Sequence, residues 1–384
     1  MQKKTMMIHG GNTIDEYTGA VNPPIYQTST YKQDGIGNMR QGYEYSRSAN
    51  PTRTALESLI RDLESGDAGF AFGSGMAAIS SVIMLLNAGD HIVVGSDVYG
   101  GTYRVFTKVF ERIGIKSTFV DTTDIEAVEA VEAAISENTK MLYIETPTNP
   151  LLNVTDIRKM VEISKAHNLI SVVDNTFMTP YFQNPLELGA DIVLHSATKY
   201  IGGHSDVVAG LVVTRTPELS EAIGFIQNSV GGVLGPQDSF LLVRGIKTLA
   251  IRMEQTEQTT LKIIEFLKKQ NVVTNIFHPS LLDEGNKKIH ESQSKGYGGM
   301  ISFDVGSKEN AENLVKSTKY FTLAESLGAV ESLISVPSQM THASIPRERR
   351  LELGITDGLV RISVGIEDSE DLIADLEQAF KQLN

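Results

Sequence analysis

Residues 141–177 read MLYIETPTNPLLNVTDIRKMVEISKAHNLISVVDNTF, a pattern of strand, helix, strand. Short apolar runs at 141–144 and 169–173 flank a stretch, 155–167, whose apolar residues recur at helical spacing. Outward from this unit the alternation continues. Apolar runs at 68–72, 91–95, 117–120, 191–194 and 207–213 are separated by helical stretches at 75–87, 99–113 and 124–136. Such alternation predicts an α/β fold with a central, mainly parallel, doubly wound sheet. Ligands of these sheets bind outside the carboxyl ends of the strands. The residues just after each run are therefore the ones to read for chemistry: Gly73–Gly75, Asp97–Tyr99, Glu145–Asn149, Asp174–Thr176 and His195–Lys199.

On the amino-terminal side, residues 1–48 are rich in Gly, Tyr and Asn, and Pro23–Pro24 forbids a helix there. They read as an arm that needs something else to pack on. Asn50–Pro51–Thr52 opens a helix running to about Glu64, with Leu56, Leu59, Ile60 and Leu63 on one face. Beyond the sheet, a long helical stretch is expected over Gln237–Lys269. Mixed strands and helices follow at 298–305, 309–316, 331–335, 358–364 and 368–383 and read as a smaller C-terminal α+β domain. The division expected is an arm over 1–48, a large domain over 49–247 and the smaller one over 248–384.

The net charge of −13 and the absence of any Lys/Arg-rich stretch argue against nucleic acid or an anionic membrane as the main partner. With no cysteine in 384 residues, a disulfide framework, a Cys-ligated zinc and a Cys nucleophile are excluded. This fits a reducing cytoplasm. The opening MQKKTMMIHGGNT has no apolar run behind its lysines, so no signal peptide is read, and no apolar run is long enough for a membrane span. The eight His show no metal-ligand spacing, so no metal is expected, and His195 and His204 are read as structural.

Four segments carry most of the chemistry. In VVDNTF (172–177) a buried strand ends on Asp174, a helix cap, a structural ion pair, or the partner of the protonated pyridine nitrogen of pyridoxal phosphate (PLP). In LHSATKYIGGHSDVVAGL (194–211), Ser196 and Thr198 can donate to a phosphate while Lys199 forms a Schiff base with an aldehyde. In FGSGMAAISSV (72–82), Gly73 and Gly75 expose backbone N–H groups at a helix start, a natural phosphate site. The same string fits the dinucleotide fingerprint, with Asp97 ending the next strand, so an NAD-dependent dehydrogenase competes on this segment. It leaves Asp174 and the S-A-T-K segment unexplained. In DGLVRISVGIED (357–368), Val360, Ile362 and Val364 share one face, leaving Arg361 free to hold an α-carboxylate or to make a surface ion pair. Two further segments could contribute, though both also suit ordinary packing or a solvated loop. Tyr99 could stack on a planar ring, and Tyr45 with Arg47, on one side of an extended arm, could clamp a phosphate.

Together YSRSANPTR, SGMAA, SDVYGGTYR, ETPTNP, VVDNTF, HSATKYIGGHSD and AESLGAVESLIS resemble the Cys/Met-metabolism PLP enzymes, the cystathionine γ-lyase, γ-synthase and β-lyase group. The resemblance runs from about His9 to the C-terminus. It implies the fold-type-I, aminotransferase-like architecture, PLP as cofactor, small sulfur amino acids as substrates, and a homotetramer of two tight dimers with shared sites. By matching position, Lys199 is implied as the Schiff-base lysine, Asp174, beside Thr176, as the ring-nitrogen partner, and Tyr99 as the stacking ring. Gly75, Met76, Ser196 and Thr198 are implied to hold the phosphate, joined by Tyr45 and Arg47 from a neighbouring subunit. Asn149, Ser326 and Arg361 are implied at the substrate carboxylate or the cofactor's phenolic oxygen. Arg104, Glu44, Glu325 and Thr341 are implied to line the distal pocket.

Within the family, methionine γ-lyases place a Cys after the stacking Tyr, where this chain has Gly100. The pair Glu44 and Glu325 looks like the γ-lyase pattern, suited to the distal ammonium of cystathionine. The activity expected is therefore α,γ-elimination of cystathionine, with Lys199 and Tyr99 as the catalytic residues. β-Elimination, alone or alongside it, is the nearest alternative, then γ-replacement.

Overall fold

A computed structural model describes residues 1–11, 14–123, 127–343 and 345–383. Seven strands form the larger sheet: β1 (Ala68–Phe72), β2 (His91–Gly95), β3 (Lys116–Val120), β4 (Thr139–Glu145), β5 (Ile170–Asp174), β6 (Ile192–Ser196) and β7 (Gly210–Thr214). Their order is β1-β7-β6-β5-β4-β2-β3. Neighbours from β3 across to β6 are parallel, whereas β7 runs antiparallel to both β6 and β1. The reversal has a simple cause. Residues 197–209 join β6 to β7 with no helix between them, and a parallel return needs a crossover.

Helix Pro51–Glu64 starts where the Asn50 side chain accepts the N–H groups of Thr52 and Arg53, and it buries Leu56, Leu59, Ile60 and Leu63 under the sheet. Where the sequence suggests one helix over 237–269, there are two, Pro236–Ile246 and Leu249–Leu267. The carbonyl of Gly245 is diverted: it accepts from the Thr248 N–H, the Thr248 hydroxyl and Arg252 Nη2. The expected helix 99–113 also divides, into Gly100–Val105, a π turn and a 3₁₀ turn. The expected 124–136 helix is seen over Ala127–Ala134, its first three positions lying outside the described residues. The arm, which shows little periodicity in sequence, also contains a short helix, Lys3–His9. Its Met7 is buried in the main core, and Lys3 Nζ donates to the Leu63 and Pro180 carbonyls.

The second sheet contains β8 (Asn275–Phe277), β9 (Met300–Asp304), β10 (Thr322–Leu323), β11 (Leu333–Ser335) and β12 (Leu359–Ser363), in the order β10-β11-β12-β9-β8. All its pairs are antiparallel except β10–β11. Period-2 alternation in β12 sends Val360 and Ile362, with Val364 just beyond the strand, into a core beneath helices Lys308–Ser317 and Ser369–Phe380. Arg361 and Ser363 are left facing the larger sheet. Among the described residues, no helix is long and apolar enough to cross a membrane.

Candidate active site

A cavity of about 320 Å³ opens at the carboxyl ends of β4, β5 and β6 and is closed on the far side by residues 325–327, Thr341 and Arg361. That volume is within the range of about 300–1,000 Å³ typical of small-molecule sites.

Its floor is Asp174, the last residue of β5. The carboxylate is buried, and burial pushes its pKa up, but three donors work against that shift. The Thr176 N–H and hydroxyl donate to Oδ1 at 3.1 and 2.6 Å, and the Tyr143 hydroxyl donates to Oδ2 at 3.3 Å. Thr176 Oγ1 in turn accepts the Ser196 N–H at 2.8 Å, tying the end of β5 to the end of β6.

One wall is the start of helix Gly75–Ile83, capped by the Ser74 hydroxyl, which accepts the Ala77 N–H at 3.0 Å. Gly75 packs closely on Ser196, and a Cβ there would lie 3.1 Å from both Cβ and Oγ of Ser196. The helix's first N–H groups and the Ser196 hydroxyl thus meet in one cradle, and that hydroxyl has no partner among the described residues. The Thr198 hydroxyl also reaches the cavity but donates to the Ala209 carbonyl at 3.2 Å.

Lys199 follows β6 in a turn held by buried Arg252, which donates to the Tyr200 carbonyl at 2.6 Å. Lys199 Nζ donates to Ser326 Oγ at 2.9 Å. Burial, then the charge of Arg361, lowers its pKa to about 8, with Glu325 acting in the opposite sense. Ser326 itself sits at φ +97, a strained backbone for a residue with a Cβ. Arg361 is buried, donating Nη1 to Asn149 Oδ1 at 2.8 Å and Nη2 to the Ser326 carbonyl at 3.1 Å, while its Nε has no partner among the described residues. His342, whose pKa burial lowers to about 4, donates Nε2–H to the Asn149 carbonyl at 2.9 Å and pairs with Thr341 Oγ1 through Nδ1 at 2.8 Å.

Tyr99 stands at the rim, two-fifths exposed, with its N–H donated to Glu145 Oε2 at 2.9 Å. Its ring lies against the start of helix Gly100–Val105, where a Cβ at Gly101 would come within 2.4 Å of Tyr99 Cε1.

The fold thus gathers Gly75, Met76, Tyr99, Asn149, Asp174, Thr176, Ser196, Thr198, Lys199, Glu325, Ser326, Thr341 and Arg361 around one space. Glu44, Tyr45, Arg47 and Arg104 do not line the cavity of their own chain. The segment holding Tyr45 and Arg47 turns rather than extends, with the Ser48 N–H donated to the Tyr45 carbonyl, yet the Arg47 guanidinium still lies 5.4 Å from the Tyr45 ring centroid. His195 does not line the cavity and is fully buried, its Nε2 2.6 Å from Glu64 Oε1. Glu145 and Ser74 fall in the segments that the sequence marks out but carry no assigned role there, and Tyr143 lies outside those segments. Glu145 ends an apolar run as Asp174 does, and Ser74 precedes a glycine-led helix, so both carried a signal. Tyr143 reads as one more apolar strand position.

The donor set fits pyridoxal phosphate. The Gly75–Ser196 cradle would take its phosphate, Asp174 its pyridine nitrogen, and Lys199, its amine half-neutral near pH 8, its aldehyde. Among the described residues, no group of three His, Asp or Glu could hold a metal.

Comparison with known proteins agrees with this geometry. A family model described as "Cys/Met metabolism PLP-dependent enzyme" matches residues 4–381. The chain is 63% identical over 383 residues to a cystathionine gamma-lyase of Bacillus subtilis (strain 168), covering 100% of both chains. It is 56% identical over 379 residues to a cystathionine beta-lyase of Lactococcus lactis subsp. cremoris, covering 99% of each. The crystal structure of a cystathionine gamma-lyase from Lactobacillus plantarum complexed with L-serine superposes with a TM-score of 0.97 at 52% identity, covering 100% of this chain and 99% of that one.

Proposed function

Since the chain belongs to the Cys/Met metabolism PLP-dependent enzyme family, we propose that it cleaves L-cystathionine by α,γ-elimination, with water, to L-cysteine, 2-oxobutanoate and ammonia. The observation that carries this reading is Glu325, which shares the cavity with Lys199 and Arg361 and acts electrostatically on both. A carboxylate there suits a substrate with an ammonium group at its far end as well as an α-carboxylate. The similarity to the Bacillus protein points the same way.

PLP, when bound, supplies an electron sink for the charge left at the substrate's α-carbon. The chain's own residues do the rest. Arg361, oriented by Asn149 and the Ser326 carbonyl, holds the substrate carboxylate. Asp174 pairs with the ring nitrogen. Lys199 Nζ takes the α-proton, a role open to it because burial and Arg361 favour the neutral amine. Lys199, as the shuttling base, also takes the second proton, from Cβ, and the Tyr99 hydroxyl gives a proton to the departing sulfur. Thr341, Glu44 and Arg104 belong to the distal end of the site in this reading, and Tyr45 and Arg47 reach the phosphate in a neighbouring subunit of a homotetramer. The arm (1–48) makes that contact, the PLP-binding domain spans 49–247, the smaller domain spans 248–384, and the enzyme works in the cytoplasm.

Incubation with cystathionine and identification of the keto acid tests the reaction. 2-Oxobutanoate is expected. Pyruvate as the main product would refute γ-elimination and favour the β-elimination that the name of the Lactococcus relative suggests.

A further inference from the structure

Glu145 is a buried carboxylate of the cavity to which the proposed reaction gives no task. It ends β4, and the register of β4 on β5 sets it opposite Asp174. Both line the same space. Two ionised carboxylates so placed, away from water, repel each other, and such pairs hold one charge between them. The number of donors decides where that charge rests. Asp174 accepts three hydrogen bonds, two from Thr176 and one from Tyr143. Among the described residues Glu145 accepts one, the Tyr99 N–H at 2.9 Å. Burial, then Asp174 on β5, then Asp97 beyond β2, all push the Glu145 pKa well above the carboxylate range, against the Tyr99 N–H and the charge of Arg361 on β12.

We propose that Glu145 is a neutral positioning residue, whose carboxyl fixes the Tyr99 backbone at the rim while Asp174 keeps the single buried negative charge of the site. Tyr99 needs such an anchor. Its ring is two-fifths exposed, its side chain does not cap the helix it begins, and the residues after it are Gly100 and Gly101. The Glu145 bond joins that rim to the strand beside Asp174, so the stacking ring and the ring-nitrogen partner share one frame. This inference rests on the proposed roles of Tyr99 and Asp174.

The test titrates apo-protein with PLP, reading the dissociation constant and the circular dichroism induced in the bound cofactor. Glu145→Gln keeps an acceptor oxygen and carries no charge, whereas Glu145→Ala removes the acceptor. The Gln variant should bind PLP within about threefold of the native protein and with the native dichroic signal. The Ala variant should bind about tenfold more weakly with a diminished signal, on the scale of one lost buried hydrogen bond. The infrared difference spectrum between native and Gln proteins near pH 7.5 should show the loss of a protonated-carboxyl band. Equal weakening in Gln and Ala, or no such band, would overturn the inference, and the Gln protein alone decides it if the Ala protein fails to fold. Tyr99→Ala tests the premise separately: native affinity and dichroism in that variant would mean that the stacking role has failed.

Discussion

Asp97 offers a test of how tightly the carboxyl ends of the strands are packed. Its carboxylate is buried, and among the described residues neither oxygen makes a well-formed hydrogen bond. Burial pushes its pKa from 3.8 up to about 7, helped by the nearby charge of Asp121 and opposed by the Thr148 hydroxyl. Between those two values the folded chain keeps a proton that the unfolded chain has released, so stability must fall as pH rises from about 4 to about 7 and then level off. At about 1.4 kcal/mol per unit, the full loss above pH 7 is about 4 kcal/mol. Asp97→Asn removes this titration but leaves an amide short of partners, a cost on the order of 1–3 kcal/mol. The informative quantity is therefore the pH slope of the difference between the two proteins. Unfolding of both apo-proteins in urea, read by pulse proteolysis between pH 5 and 9, supplies it. The stability of the native protein relative to Asp97→Asn should drop by about 1.4 kcal/mol per unit between pH 5 and 7 and be flat above 8. A difference that is flat throughout would mean that the carboxylate is solvated or paired in solution and would refute the reasoning.

Two further outcomes test the site. Because burial and Arg361 lower the Lys199 pKa to about 8, capture of PLP by apo-protein should quicken about tenfold per unit of pH up to about 8 and then level off, as followed by stopped-flow absorbance. A rise continuing to pH 10 would contradict it. If Arg47 serves the neighbouring subunit, inactive Lys199→Ala and Arg47→Ala proteins, dissociated and re-associated at equal concentration, should recover about a quarter of native activity, since half the dimers would be mixed and each would hold one complete site of two. No recovery in a mixture shown to exchange subunits would place Arg47 outside the site.

What was legible in the sequence was local. Runs such as His91–Gly95 and Ile170–Asp174 are flanked by turns, and their apolar character needs no knowledge of neighbours. The helix opened by Asn50 was readable because its cap lies within the segment it caps. The unbroken helix expected over 237–269 failed for the opposite reason, since its break depends on Arg252 turning back to the Gly245 and Tyr200 carbonyls. The reversal of β7 likewise follows from what residues 197–209 do not build.

The roles inside the site divide along the same line. Glu145 and Asp174 look alike in sequence, each an acidic residue closing an apolar run. Sheet order separates them. With β4 lying between β2 and β5, Glu145 faces a carboxyl group on either side and has, among the described residues, one backbone donor, whereas Thr176 and Tyr143 give Asp174 three. Tyr143 does this from β4, two residues before Glu145, through a hydroxyl that a hydrophobicity pattern counts as core. The strand that brings the rival carboxylate therefore also brings a donor to Asp174, and the charge of the site is located by the pairing of β4 with β5 rather than by either residue alone.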